Sequence, residues 1–227
     1  MVRVLVRWAP RAGLRLVERD VTPEELDRAG RLRVGADAWL ATRCWVRARL
    51  AEDLGCRPAD VPIVVDGRGR PSLAAAASTA DLSIAHSDSV VALATGPVPL
   101  GVDVEDRPAP AVDLRGVAEV VASPRELEEL RTVADADLPR LFQRWWTRKE
   151  ALVKARGAGF LEDPTRLDVG WAATTRVEDP WVVHDLGVLT PRLGGRSEEP
   201  PALVRARPVL TVVTAGPAVV RVEQHRS

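Results

Sequence analysis

Alternation opens the chain. Val2, Val4, Val6 and Trp8 recur at every second position, which predicts a strand over 2–8. Thr22-Pro23-Glu24-Glu25 then begins a helix: Thr22 caps, Pro23 suits the first helical position, and Glu25 completes a capping box. Trp39, Leu40, Val46 and Leu50, interleaved with Arg43 and Arg47, predict a helix over 36–54 that Gly55 ends. Short apolar runs predict strands at 63–65, 82–86, 90–94 and 100–105, with a turn-rich loop at 66–71 and a turn at 87–89. Ser123-Pro124-Arg125-Glu126 repeats the capping-box pattern and opens a helix to about residue 132. The longest helix is predicted over 137–156, ended by Gly157 and Gly159, and short strands follow at 167–169, 181–183, 210–213 and 219–222. The stretch 190–201 reads as a mobile loop.

Helices followed by short antiparallel strands occur in both halves. The expected fold is α+β: two similar α+β subdomains in a pseudo-twofold arrangement, short antiparallel sheets with packed helices, divided as 1–98 and 99–227.

Composition narrows the classes. Of 227 residues, 46% are hydrophobic and 28% charged, which is ordinary for a globular chain of this length. Formal net charge is zero, so no global field recruits nucleic acid or an anionic membrane. No apolar run reaches transmembrane length, and the N-terminus lacks the pattern of a signal peptide. Cys44 and Cys56 form no metal-binding pattern, so a reducing cytoplasm is the expected compartment.

Two segments carry candidate chemistry. In Gly101-Val102-Asp103-Val104-Glu105 a strand puts both carboxylates on one face and both valines on the other. In Trp146-Thr147-Arg148-Lys149-Glu150-Ala151-Leu152-Val153-Lys154-Ala155-Arg156-Gly157 a helix puts Glu150 and Lys154 one turn apart, flanked by Lys149. Three carboxylates with fixed cations suit a magnesium ion on a phosphate group. A solvated strand edge beside an ordinary Glu–Lys helix pair accounts for the same residues. Gly67-Arg68-Gly69-Arg70-Pro71 offers backbone N–H groups and guanidinium forks to a phosphate, or is a tight surface turn. His86 at a strand end is a phosphate donor or a structural group, and Glu126 is explained by its capping box alone.

Taken together, Gly-Val-Asp-Val-Glu and Trp-Thr-x-Lys-Glu-Ala-x-x-Lys-Ala-x-Gly resemble the signature pair of the 4′-phosphopantetheinyl transferases. Gly69-Arg70-Pro71 and Ser83-Ile84-Ala85-His86-Ser87 precede them in the order of the longer, Sfp-like type, and the motifs cover roughly residues 66–160. The resemblance implies a cytoplasmic, magnesium-dependent enzyme (manganese being an alternative) that moves the phosphopantetheine arm of coenzyme A to a serine of an acyl or peptidyl carrier protein domain. Adenosine 3′,5′-bisphosphate is released, and carrier activation for secondary metabolite biosynthesis is the expected setting. It implies metal ligation by Asp103, Glu105 and Glu150, and catalysis by Glu150 and Lys154 with Glu126 in support. Coenzyme A would be held by Arg28, Arg43, Arg68, Arg70, Pro71, His86, Ser87, Lys149 and Lys154. Arg70 stands where relatives often carry Lys, and Ala85 where they often carry Ser. Neither a nucleic acid nor a membrane is implied as partner, and a monomer suffices to complete the site. The alternative is a non-catalytic coenzyme A-binding member of the same fold. Residues 106–125, with Val112, Leu114, Val117 and Val120, are the expected carrier-facing patch.

Overall fold

The computed structural model describes residues 1–106, 113–157, 163–171, 179–189 and 208–225. Along them run β1 (Val2–Pro10), α1 (Pro23–Gly30), α2 (Ala36–Leu54), β2 (Ile63–Val65), β3 (Pro71–Leu73), β4 (Asp81–His86), β5 (Val90–Gly96) and β6 (Leu100–Glu105). Then follow α3 (Leu114–Val121), α4 (Pro124–Leu130), α5 (Leu138–Arg156), β7 (Trp181–Val188), β8 (Val209–Ala215) and β9 (Ala218–Gln224). The class is α+β, as expected. A four-stranded sheet has the order β4-β5-β1-β9, a three-stranded sheet the order β6-β8-β7, and β2-β3 is a separate hairpin.

Each main sheet carries one 19-residue helix. Trp45, Val46 and Leu50 of α2 meet Val91 and Leu93 of β5. Trp145, Leu152 and Ala155 of α5 share a core with Val213 of β8. A third core joins the sheets to each other, with Val4, Val6 and Ala92 from one and Val102, Val104 and Val212 from the other. The period-two pattern of a strand therefore sorts β6 cleanly. Val102 and Val104 enter the shared core, which leaves Asp103 and Glu105 on the face toward α5.

Gly101 lets that face come close. A Cβ built there would lie 2.1 Å from the Ala151 carbonyl oxygen and 2.4 Å from the Ala155 nitrogen. Only a residue without a side chain lets strand backbone meet helix backbone at this point. Gln143 of α5 adds a tether, its Nε2 donating to the Glu105 carbonyl at 2.7 Å.

Both capping boxes form, at Thr22–Glu25 and Ser123–Glu126. Several expectations change. The chain's last strand, β9, leaves the C-terminal half and pairs with β1, in parallel and from Val2↔Ala218 to Trp8↔Gln224. The sheets are thus not wholly antiparallel. Residues 167–169 form no strand. Leu167 and Val169 are buried, but their backbone partners are side chains: Leu167 O accepts from Lys149 and Val169 N donates to Glu126. Within 106–125 lies a helix, α3, capped by Asp113. The loop 190–201 and Val112 lie outside the described residues. No helix among the described residues is long and apolar enough to cross a membrane.

Candidate active site

The loop between β2 and β3 reaches across to the end of α5. Asp66 Oδ1 accepts from the backbone N–H groups of Arg68 and Arg70 at 2.8 and 2.9 Å, which fixes a tight turn. Arg70 donates to the Lys154 carbonyl and pairs with Asp81 at 2.6 Å, while Arg68 reaches the Gly157 carbonyl at 3.3 Å. Gly157 ends α5 in the left-handed conformation, φ 66°, and a Cβ there would meet Arg70 Nη1 at 3.1 Å. Asp81 Oδ2 also accepts from Leu100 N at 2.9 Å, and Ser83 Oγ from Val102 N at 3.0 Å, so β4 is stitched to β6.

A cleft of about 540 Å³ opens along this seam. Arg70, Pro71 and Ile84 line one side, and Trp146, Glu150 and Lys154 of α5 the other. A second cavity of about 390 Å³ shares Gly69, Pro71 and Ile84 with it and gathers Arg11, Arg28, Arg43 and His86. The second cavity is therefore cationic, and the first sets the carboxylate of Glu150 beside Arg68, Arg70 and Lys154.

At the carboxylate end Lys154 Nζ donates to Asp103 Oδ1 at 2.6 Å. Asp103 is 6% exposed, and its Oδ2 is buried with no hydrogen-bond partner. Burial pushes the Asp103 carboxyl up, against the pull of the Lys154 ammonium. Glu105 is pushed up to about 7, first by burial and then by the charge of Asp103, with Glu150 adding to it. Glu150 is pushed up by burial and by Asp103. The three carboxylates thus feel one another, and Lys154 offsets part of the repulsion. Among the described residues no three His, Cys, Asp or Glu side chains are gathered as a formed metal site. The donor set nonetheless suits a hard cation: all oxygen, mutually repelling, with one buried oxygen unsatisfied.

At the cationic end, burial pushes the His86 imidazole down, and Arg11 and Lys154 push it further. Arg43 is pushed down by burial, Glu25 opposes this, and Arg47 and Arg28 add to it. Glu25 supports the group from beneath, 2.7 Å from Arg47 Nε and 3.4 Å from Arg43 Nε.

Two residues expected at the site, Lys149 and Glu126, are turned into the core. Lys149 is turned inward. Its ammonium bonds the carbonyls of Val121, Pro164 and Leu167 at 2.7–2.8 Å and pairs with Glu126 at 2.8 Å. Glu126 is 0% exposed, and its two oxygens serve Ser123 N, Val169 N and Lys149. Helical phase explains this, since Lys149 and Lys154 are five residues apart and leave α5 on different faces. Ser87, beside His86, donates a hydrogen bond from its hydroxyl to Asp106 at 2.5 Å.

Asp106, which motif reading missed, also accepts from Ser89 N at 2.7 Å and Ser89 Oγ at 2.6 Å. It ties the turn after His86 to the end of β6. Arg11, Asp81 and Gln143 were missed as well. Each lies outside a recognisable motif and joins the site only through pairing of distant segments.

A family model described as the 4′-phosphopantetheinyl transferase superfamily matches residues 99–180. The 4′-phosphopantetheinyl transferase HetI of Nostoc sp. is 31% identical over 155 residues, 66% of this chain and 65% of that protein. The L-aminoadipate-semialdehyde dehydrogenase-phosphopantetheinyl transferase of Mus musculus is 28% identical over 174 residues, 71% of this chain and 56% of that protein. The match thus spans less than two thirds of each relative's own length.

Proposed function

Through residues 99–180 this chain belongs to the 4′-phosphopantetheinyl transferase superfamily, and from that premise we propose that it transfers the phosphopantetheine arm of coenzyme A to a serine of an acyl or peptidyl carrier protein domain. The observation that carries this reading is the pair of adjoining cavities that share Gly69, Pro71 and Ile84, one lined by Arg28, Arg43 and His86 and the other by Lys154 and Glu150. Coenzyme A has matching polarity: a nucleotide bearing a 3′-phosphate, a pyrophosphate, and a long weakly polar arm. The nucleotide end lies with residues 1–98 and the reacting end with residues 99–227.

The cationic pocket holds the 3′-phosphate through charge-assisted hydrogen bonds. Arg70 braces the end of α5, so that Lys154 faces the pyrophosphate. The serine hydroxyl attacks the β-phosphorus, and its proton passes to a carboxylate of the Asp103, Glu105 and Glu150 group. The bond to the departing adenosine 3′,5′-bisphosphate breaks as Lys154 offsets the charge growing on it. Asp103, Glu105 and Glu150 would hold Mg²⁺ or Mn²⁺, which would neutralise pyrophosphate charge. Lys149 and Glu126 brace α5 against α4 and take no part in binding or chemistry.

On α3, Val117 and Val120 are exposed, Val120 to 72%, whereas Leu114 is buried in the core. We assign Val117 and Val120 to the carrier-facing surface. Free thiols at Cys44 and Cys56 support a reducing, cytoplasmic setting. The groove is assembled within one chain, which supports action as a monomer.

The test is direct. The protein, coenzyme A, Mg²⁺ and an apo carrier domain are incubated together and the carrier is weighed by mass spectrometry. A phosphopantetheine mass gain is expected, and Asp103→Ala should abolish it while the variant stays folded. No gain across fatty-acid, polyketide and peptide carriers would sink the reading. Coenzyme A binding without transfer would establish the non-catalytic alternative.

A further inference from the structure

Trp39 reads in the sequence as one more apolar position of α2. In the structure it is partly buried, packed on the cluster of Val21, Ala29, Leu40 and Cys44 between α1 and α2. Its ring also lines the cationic cavity. The Arg43 guanidinium carbon lies 5.3 Å from the ring centroid and that of Arg28 lies 5.5 Å from it, both within the roughly 6 Å reach of a cation–π contact. Arg43 stands one turn along the same helix, and Arg28 arrives from α1. One indole, its plane fixed by the core beneath it, thus holds two arginines from two helices beside the same cavity.

The two guanidiniums repel each other, and long side chains lose considerable rotamer freedom when held. Glu25 steadies Arg43 from one side. The indole face attracts both cations without neutralising either, because its quadrupole leaves their N–H donors free for an anion. A carboxylate in the same place would hold the arginines equally well and spend those donors.

We propose that Trp39 is a positioning residue that holds Arg28 and Arg43 ready for the second phosphate of the nucleotide, and so sets the preference for adenosine 3′,5′-bisphosphate over adenosine 5′-monophosphate groups. This rests on the coenzyme A reading above. Trp39 touches the arginines and acts on the ligand through them.

Titration calorimetry on the full chain with those two nucleotides separates the possibilities. Wild type is expected to bind the bisphosphate more tightly. Trp39→Leu should lose about tenfold for the bisphosphate, the scale of two weakened cation–π contacts, and stay within about twofold for the monophosphate. Trp39→Phe, which keeps an aromatic face, should recover most of the preference. Melting curves of the three proteins report folding. If wild type shows no preference, the coenzyme A reading fails and this proposal falls with it. If wild type discriminates but Trp39→Leu weakens both nucleotides equally, or neither, Trp39 is a packing residue and the proposal alone is overturned.

Discussion

Lys149 and Lys154 leave the same helix on different faces, and burial divides their work. Lys149 is 3% exposed, and desolvation pushes its ammonium down while Glu126 pulls it back. Removing one member of such a pair leaves the other charge buried and uncompensated. Lys149→Met should therefore destabilise the fold by about 3–5 kcal/mol in denaturant titrations. Addition of Glu126→Gln should restore part of the loss, and kcat per folded molecule should hold. A variant that folds normally yet loses transfer would put Lys149 back in the site. His86 yields a prediction on pH. Its ligand-free pKa is depressed by burial, Arg11 and Lys154, so it is neutral near pH 7. A bound phosphate favours the imidazolium, and binding takes up a proton. The affinity advantage of wild type over His86→Gln for adenosine 3′,5′-bisphosphate should therefore grow as pH falls from about 8 toward 6. A flat ratio over that range would remove His86 from the phosphate.

At the scale of elements, the contact of β6 with α5 sets the distance between the acidic strand and the Lys-Glu helix. Gly101→Ala would drive a methyl into the helix backbone at Ala151 and Ala155, where no side chain can yield. The expected cost is about 1–3 kcal/mol of stability, read as a lowered melting midpoint. Transfer should fall as well, even at temperatures where the variant is folded, because Asp103 and Lys154 are moved apart. Unchanged transfer would mean that the separation tolerates adjustment. The elements legible in the sequence are those with local signals. Both capping boxes, the alternation of β6 and the glycine ends of α2 and α5 were readable for that reason. What was not legible depends on partners far along the chain. Leu167-Asp168-Val169 has strand composition, but Glu126 and Lys149 occupy the backbone groups that a neighbouring strand would need. The burial of Lys149 and Glu126 was hidden for the same reason, since a Lys-Glu motif looks alike whether it faces solvent, a site or a core.

At the scale of the molecule, the groove lies along the seam between the sheets, and α3 stands in the C-terminal half as an apolar surface. If carrier domains dock there, replacing Val117 and Val120 with Ala should raise the apparent carrier KM by up to about thirtyfold, since each exposed methyl pair buried on docking contributes on the order of 1 kcal/mol. The KM for coenzyme A should not move. An equal rise in both would refute the assignment of that surface. The order along the chain was readable: Arg28, Arg43 and His86 come early, and the carboxylates with the Lys-Glu helix come late. The return of β9 to the first sheet was not, because an edge strand carries no mark of which sheet it will join.

That return has a consequence for synthesis. The strand that covers the free edge of β1 is made about 130 residues after β5. At roughly 5–20 residues per second, the half-built sheet waits on the order of ten seconds with a row of unpaired amides exposed. The nascent N-terminal half is therefore a natural client for chaperones, and a stalled ribosome would leave it open to pairing with the wrong strand.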